Sequence, residues 1–564
     1  LGNQTITLRG SDGLLSDAMA LPLPIEAAGA AEHQRDAGSL PDQTSTNLLL
    51  PPGYESGVLH VQLLPSVVAQ LIQNVRLLDV YPYYCTEQTM SAALPAVFID
   101  RMLTRTGLKN DGNLKTGDIV KKAIARLVQL QHSDGSWGWW EADEAHPFMS
   151  AYALYGLAEF RKAGYLVPGG VLTNGIDSVV LQLGSSNTDT LRFWGGRQPN
   201  SEWNTRAFML FALADAAPAR VDRTLLAQTD AHVTELNSYA LAVLGLAHHE
   251  LGDDATARTL LKSLNARAIE EGAYTHWQGQ SWHYAWEDDP IETTAYALRL
   301  EVALVPRSAR IGHIVNFLRA QQHGSWWYTT KDTAAAVYAI SQTVAPDSHE
   351  FNPDETVTVK LGDRILKTLR IQRPLLNGDD ASISVSAADL HDGSRLSFER
   401  TGVGAFYWST DWTRYAPPGT THVSDAGMSI LSRLLAKPSD FIISRTYTAP
   451  HRGAWRVGDE IAVDVKLRAR SDTQYVAIED PFPAGAEYQP LQGEAASDWS
   501  GLQFFDDRAV FFATRVSADY PLHLRYTLRV TTQGSYTAPP PTAYAMYGPP
   551  VSAVGAAAAI TVAR

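Results

Sequence analysis

QHSDGSWGWW, residues 131–140, closes one apolar-periodic stretch and leads into a second, SAYALYGLAEF. Residues 321–330, QQHGSWWYTT, do the same ahead of KDTAAAVYAIS, and THWQGQSWHYAWEDDPIETTAYAL, from Thr275, is a looser third copy. In each case a Gly/Trp segment ends one helix-like stretch and a small-residue helix follows. Repetition of helix–turn–helix units implies stacked helical pairs, because one pair cannot bury its apolar face alone.

Outward from these copies, the text between about 66 and 344 reads as helix throughout. Ser66 can cap VVAQLIQNVRLL, whose Val68, Leu71, Ile72, Val75 and Leu78 share a face. Further helical periods fall at about 88–104, 116–131, 147–163, 172–185, 202–216 and 222–229. Five more fall at about 233–251, 254–269, 290–304, 308–322 and 330–344. Short links make neighbouring helices antiparallel, and six pairs close into an α/α toroid.

The flanks are β. Residues 1–64 hold short strands such as VLHVQLL after a polar, alanine-rich stretch. Beyond Pro346, DETVTVKLGDRILKTLRI is a hairpin turning at Gly362-Asp363. The text from about 350 to 430 pairs with the N-terminal strands, which makes the helical unit an insertion into a β domain. From about Ser439 the alternation in EIAVDVKLRA and PLHLRYTLRV, with Leu522, Leu524, Tyr526, Leu528 and Val530 on one face, indicates a β-sandwich. The expected division is 1–64, 65–345, 346–432 and 433–564.

At 564 residues the chain is long enough for several cores. A net charge of −14 with no basic run argues against nucleic acid as a partner. No apolar run is long enough to span a bilayer. The chain opens at Leu1 in strand-like text and shows no signal peptide, which reads as the C-terminal part of a longer protein. No metal-ligand spacing or nucleotide fingerprint is present, so neither metal nor cofactor is expected.

Chemistry concentrates in YPYYCTEQTMS, residues 81–91, which holds the only cysteine. A lone cysteine is most simply a small buried hydrophobe. Cys85, however, follows an aromatic–proline run and opens a helix, where backbone N–H groups and the macrodipole favour thiolate. Such a thiolate serves a hydrolase if a His base stands by. It can instead be consumed, because Gln88 lies at i+3 and thus beside it on a helix. Attack of the sulfur on the carboxamide with loss of ammonia gives an internal thioester, a stored acyl donor.

Cys85-Thr86-Glu87-Gln88 resembles the Cys-x-Glu-Gln signature of the α2-macroglobulin and complement thioester-protein family. YPYYCTEQTMSAALP is similar to its bacterial branch, whose members show Tyr-Pro-x-x-Cys-x-Glu-Gln-Thr. The resemblance covers essentially the whole chain but only the C-terminal third of a full member. It implies an α/α-toroid thioester domain inserted in a CUB-like β domain, followed by a macroglobulin-type β-sandwich. It further implies a single-use covalent protease inhibitor rather than an enzyme: a protease cuts a bait region upstream, and the exposed thioester acylates it, chiefly through lysine amines. Cys85 is then the leaving group and Gln88 the acyl donor, while Thr86 and Glu87 complete the motif and equally suit a first helical turn that complements the dipole. The bacterial branch is periplasmic, often lipid-anchored through an N-terminal region.

A stored thioester must be kept from water. Tyr81, Tyr83 and Tyr84 are the local candidates for shielding. YAMYGPP, residues 544–550, stiffened by Pro549 and Pro550, offers Met546 and Tyr547 as a cap from the last domain. In complement-type members a histidine takes over the acyl group. The corresponding stretch here, LRFWGGRQPNSEWNTRAF at 191–208, has no histidine, which implies direct attack by amines. His146, His276 and His283 sit in Trp-rich loops and read as structural.

Two other readings compete. Gln131, Gly135 and Trp137 fit the QxxxGxW repeat of triterpene cyclases, which also use α/α barrels. Those enzymes need a DxDD acid, and the nearest text, Trp286-Glu287-Asp288-Asp289, has Trp at the first position. The same Gln/Gly/Trp pattern serves equally as a helix-end lock. The second alternative is a binding module whose thioester is never formed.

Overall fold

The computed structural model describes residues 2–11, 16–25, 30–39, 43–64, 67–79, 84–108, 114–141, 143–185, 201–279, 290–322, 327, 329–344, 354–372, 381–403, 406–416, 441–489, 501–546 and 552–563. Among them are twelve α-helices: α1 (Val67–Asp79), α2 (Thr86–Thr106), α3 (Thr116–Leu130), α4 (Pro147–Lys162), α5 (Gly169–Gly184), α6 (Ser201–Ala216), α7 (Arg223–Ala231), α8 (Ser238–Glu250), α9 (Asp254–Asn265), α10 (Pro290–Leu304), α11 (Arg310–Ala320) and α12 (Thr330–Thr343).

The even-numbered helices touch in a closed circuit: α2 meets α4, then α6, α8, α10 and α12, which returns to α2. The odd-numbered helices lie outside this ring, each against its partner in the pair. Sequence explains who is inside. In α8 every residue from Ser238 to His248 is buried, and in α4 every residue from Phe148 to Phe160. A helix apolar or small on all faces must be enclosed. The outer α3 instead buries only one stripe, Ile119, Val120, Ala123, Ile124, Leu127 and Leu130. Close approach within the ring needs missing side chains. A Cβ at Gly156 of α4 would lie 1.9 Å from Cε of Met90 on α2.

The Trp copies carry one device three times. The Trp137 indole donates to the Leu127 carbonyl at 2.8 Å, Trp277 to Leu264 at 2.8 Å, and Trp327 to Leu318 at 2.6 Å. Each bond satisfies a carbonyl in the last turn of an outer helix, where intrahelical partners run out. The backbone N–H of the same three Trp residues bonds a hydroxyl in the first turns of the next inner helix: Ser150, Thr294 and Thr333, at 3.0, 3.1 and 3.1 Å. One residue thus ties the end of one helix to the start of the next.

The strands before and after the toroid share sheets. Glu55–Leu64 lies between Ser382–Val385 and Tyr407–Ala416, and Ala30–Ser39 pairs on the far side of Tyr407–Ala416. The second sheet runs Gln43–Leu48, Ser394–Val403, Asp354–Leu361, Arg364–Ile371. Between them Leu59, Val61, Leu63, Val359, Phe398 and Trp412 form one core, so the toroid is inserted into a single sandwich. Gly2–Ser11 and Ser16–Ile25 form a separate two-stranded ribbon with Ile6, Leu8, Met19 and Leu21 exposed.

The last domain is a second sandwich. One sheet holds Phe441–Thr448, Glu460–Ala469, Leu522–Val530 and Ala486–Gln489; a second holds Gly501–Phe504, Arg508–Val516, Thr473–Pro481, Thr542–Ala545 and Ser552–Val554; a short third holds Trp455–Arg456, Ala558–Ala563 and Gly534–Ala538. Leu522, Leu524, Tyr526, Leu528 and Val530 all point inward. Its buried Arg445–Asp480 pair, 2.6 Å apart, is completed by the Tyr526 hydroxyl donating to Asp480 at 2.7 Å.

Candidate functional site

Cys85 is the N-cap of α2, with an extended backbone at φ −66°, ψ 173°. Its Sγ accepts from the backbone N–H of Gln88 at 3.5 Å, and its carbonyl accepts from Thr89 at 2.9 Å. Sulfur therefore stands where a serine oxygen usually caps a helix, and the cap bond brings the sulfur to the residue bearing the carboxamide. Cys85 is fully buried and Gln88 nearly so. The carboxamide oxygen of Gln88 is buried with no hydrogen-bond donor among the described residues.

The chain enters this cap through a strained step. Tyr84 has φ +46°, a left-handed backbone that costs a residue with a Cβ about 1–2 kcal/mol. Its carbonyl is held by Nε of Arg126 at 3.0 Å, and Arg126 is paired with Glu141. Tyr84 itself is 37% exposed, so it stands at the solvent edge while the cysteine beside it is dry. Tyr81, Tyr83 and Tyr547 lie outside the described residues.

One sequence expectation is corrected. The helix N-terminus does not make Cys85 a poised thiolate: burial, then the charge of Glu87, pushes its thiol well above the usual range, against weaker opposing bonds from the N–H groups of Gln88 and Glu87. A helix terminus contributes typically about 0.3–1 kcal/mol, less than stripping water from a fully buried anion. Glu87 stands in the first turn of α2, enclosed rather than in solvent. It is fully buried. Its carboxylate accepts from the Thr330 hydroxyl at 2.9 and 3.0 Å and from Ser91 at 2.5 Å. Ser91 also meets the Tyr152 hydroxyl at 3.3 Å, and beyond Thr330 lies the buried Lys331–Glu292 pair joining α12 to α10. Thr86 adds a buried hydroxyl without a hydrogen-bond partner among the described residues.

Thr330 and Ser91 were not singled out from sequence, although Ser91 stands one turn from Glu87. Trp139 was missed as well. Its carbonyl accepts from the Thr86 N–H at 3.0 Å, so the Gly/Trp loop after α3 holds the first turn of α2. The faces of Trp139 and Trp140 turn to the last sandwich, meeting Tyr475 at 4.6 Å and Phe512 at 4.4 Å between ring centroids. Met546 is half-buried at this seam. It packs on the apolar cluster that includes Cys85, and its N–H donates to the Tyr475 carbonyl at 2.8 Å.

The histidines take structural places. His146 caps α4 by accepting from Met149 at 3.4 Å, and its ring stands edge-on to Trp139 at 6.4 Å. Burial pushes its pKa down to about 4, which leaves it neutral. His276 stacks on Phe317 at 4.2 Å. His283 and the Trp286–Asp289 run lie outside the described residues. Trp137, the tryptophan of the cyclase-like repeat, serves the helix lock described above, and Gln131 bonds the Gly135 and Val171 carbonyls at 3.0 Å each. No group of three His, Cys, Asp or Glu side chains suited to a metal occurs among the described residues, and no described helix is long and apolar enough to cross a membrane.

Comparison with known proteins adds the following. The family model "A-macroglobulin TED domain" matches residues 59–177 and 197–342, and "Bacterial Alpha-2-macroglobulin MG10 domain" matches residues 436–550. Alpha-2-macroglobulin of Thermotoga maritima is 24% identical over 353 residues, covering 62% of this chain and 20% of that protein. Alpha-2-macroglobulin of Escherichia coli is 23% identical over 542 residues, covering 89% and 29%. The chain thus spans less than a third of the length of these relatives. The solved structure of native alpha-2-macroglobulin from E. coli, from domain MG7 to the C-terminus, superimposes with a TM-score of 0.73 at 18% identity. That match covers 100% of this chain and 88% of the other, and the likeness is one of fold.

Proposed function

The chain belongs to the bacterial α2-macroglobulin family, and from that premise we propose that it is the reactive part of a covalent protease trap, armed by a thioester between Cys85 and Gln88. The observation that carries the reading is the Cys85 cap. It holds sulfur beside Gln88 in a dry interior, with a carboxamide oxygen that no donor among the described residues satisfies.

The chemistry balances without a cofactor. The thiol adds to the Gln88 carboxamide, ammonia leaves, and a thioester remains. An amine, chiefly a lysine of the target protease, then attacks the acyl carbon, forming an amide and returning the Cys85 thiol. The bond is used once, so the protein is an inhibitor and not a turnover enzyme. The dry site suits this order of events. A thiol that resists ionisation is a poor resident nucleophile but a stable partner in a bond that must wait.

In this reading Tyr81, Tyr83, Tyr84, Met546 and Tyr547 shield the bond, the bait and earlier macroglobulin domains belong to the longer protein, and the protein works in the periplasm, lipid-anchored through its upstream region. The domain limits are 1–64, 65–345, 346–432 and 433–564, with the β flanks of the toroid as the CUB-type unit.

Intact-mass measurement with thiol titration tests the proposal. Fresh protein should be lighter than its sequence by one ammonia and show no titratable thiol. Methylamine should add its own mass and release one thiol. Full calculated mass with a freely titrating Cys85 in folded protein would end the proposal.

A further inference from the structure

Three buried polar atoms at the start of α2 have no hydrogen-bond partner among the described residues: the hydroxyls of Thr86 and Thr89 and the carboxamide oxygen of Gln88. A buried hydroxyl left unpaired is costly, and two of them beside a reactive carboxamide call for a reason.

Any acyl transfer at Gln88 passes through an oxyanion. When a nucleophile adds to the acyl carbon, the C=O electron pair moves onto the oxygen, and an enclosed site must supply a donor for that charge. A helix N-terminus ordinarily offers its free backbone N–H groups. Here they are spent. The Thr86 N–H donates to the Trp139 carbonyl at 3.0 Å, and the Thr89 N–H to the Cys85 carbonyl at 2.9 Å. The N–H groups of Glu87 and Gln88 both turn to the Cys85 sulfur. The hydroxyls of Ser91 and Thr330 are taken by the Glu87 carboxylate, whose own charge opposes a second anion nearby.

Position separates the two hydroxyls that are left. Cys85 is the N-cap, so Gln88 and Thr89, three and four residues on, flank it on one face of α2. Thr86 precedes Gln88 by two residues and falls on the opposite side of the helix. We infer that Thr89 is a catalytic residue, its hydroxyl the oxyanion donor at the Gln88 acyl carbon. It acts both when the Cys85 thiol adds and when an amine later attacks. The inference rests on the thioester reading above and gives that reaction a donor which sulfur and carboxamide do not supply. Neither orphan bonds the other in the resting chain. That suits a donor aimed at the place the oxygen takes when the carbon becomes tetrahedral, rather than at the ground-state carbonyl.

The steps balance with Thr89 keeping its proton. In formation the S–C bond forms, Thr89 holds the oxyanion, and collapse breaks the C–N bond, the thiol proton leaving with ammonia. In aminolysis the N–C bond forms, the same hydroxyl holds the oxyanion, and the C–S bond breaks, an amine proton ending on the Cys85 thiol.

The test compares Thr89→Val, which removes the hydroxyl and keeps the shape, with Thr89→Ser, which keeps the hydroxyl. Intact mass reports cyclisation, and methylamine consumption is followed by mass and thiol release. Thr89→Val should react about a hundredfold more slowly than wild type, the order expected for one lost oxyanion donor, or arrive uncyclised at full calculated mass. Thr89→Ala, which also lacks the hydroxyl, should match it. Thr89→Ser should cyclise and stay within about threefold of wild type, since the two hydroxyls are equivalent donors. Access is read separately in a Gln88→Ala background, where iodoacetamide alkylates Cys85 without forming an oxyanion. There Thr89→Val should leave the rate within about twofold, because thiol exposure and ionisation are untouched. Wild-type methylamine rates in the Val and Ala variants would overturn the inference. Equal losses in the Val and Ser variants, or an alkylation rate that shifts together with the methylamine rate, would do the same. Each of these outcomes leaves the wild-type thioester in place, whereas full mass and a freely titrating Cys85 in wild type would sink that reading and this inference with it.

Discussion

At Cys85 two effects oppose each other and burial wins. The N–H groups of α2 draw charge onto the sulfur, but a fully enclosed site beside Glu87 disfavours the anion more. His146, close by, obeys the same rule with opposite charge. Its imidazole is surrounded and held neutral, with a pKa of about 4 against an ordinary 6.5. A depressed histidine binds its proton more readily in the unfolded chain, so its share of stability is complete above pH 6.5 and drains away as the pH falls toward 4. Full linkage would be about 3 kcal/mol, and the residue's partial exposure lowers the expectation to about 2 kcal/mol. His146→Asn keeps a good N-cap without a titrating ring. Urea unfolding at pH 7 and pH 4 should therefore show a smaller acid loss in the variant, and an identical loss would contradict the assignment.

At the scale of elements, the Gly/Trp copies are joints. Trp137, Trp277 and Trp327 each lock an outer helix end to the next inner helix start. Trp277→Phe keeps most of the apolar volume but leaves the Leu264 carbonyl without its indole donor, for an expected loss of about 1 kcal/mol. Thr294→Val removes the acceptor of the buried Trp277 N–H and should cost more, about 1–3 kcal/mol. Chemical denaturation of the two variants measures the order, and a costlier Phe variant would mean that indole packing, not the bonds, secures the joint. These joints were legible in the sequence because they are local: a Trp and a Gly lie within one linker, and the hydroxyl residue lies in the first turns of the helix that follows. Helix α2 shows the limit. Its period is plain, but Cys85 and Glu87 look like any cap and first turn until α12 and the sandwich close over them.

At the scale of the molecule, the toroid and the last sandwich share an apolar surface, and Gly501 permits it. A Cβ there would stand 2.9 Å from the Trp140 indole, closer than real side chains approach. Gly501→Val should therefore wedge the seam apart while leaving each core intact. The expected outcome is methylamine reactivity raised by about tenfold or more, with the sandwich unfolding apart from the toroid in calorimetry. Wild-type reactivity with a single transition would mean the seam tolerates the wedge.

The amino-acid sequence by itself determined the helical pairs, the two β units and the Cys85–Gln88 motif. Each rests on periodicity or spacing within a few residues, and such signals survive without knowledge of the fold. Only the tertiary structure decided what the motif faces. Thr330 reaches Glu87 from the last helix of the ring, and Tyr475 reaches Trp139 from another domain. Burial, which sets the chemistry of the thiol, is a property of everything that packs around a residue, and that is not written in the residues beside it.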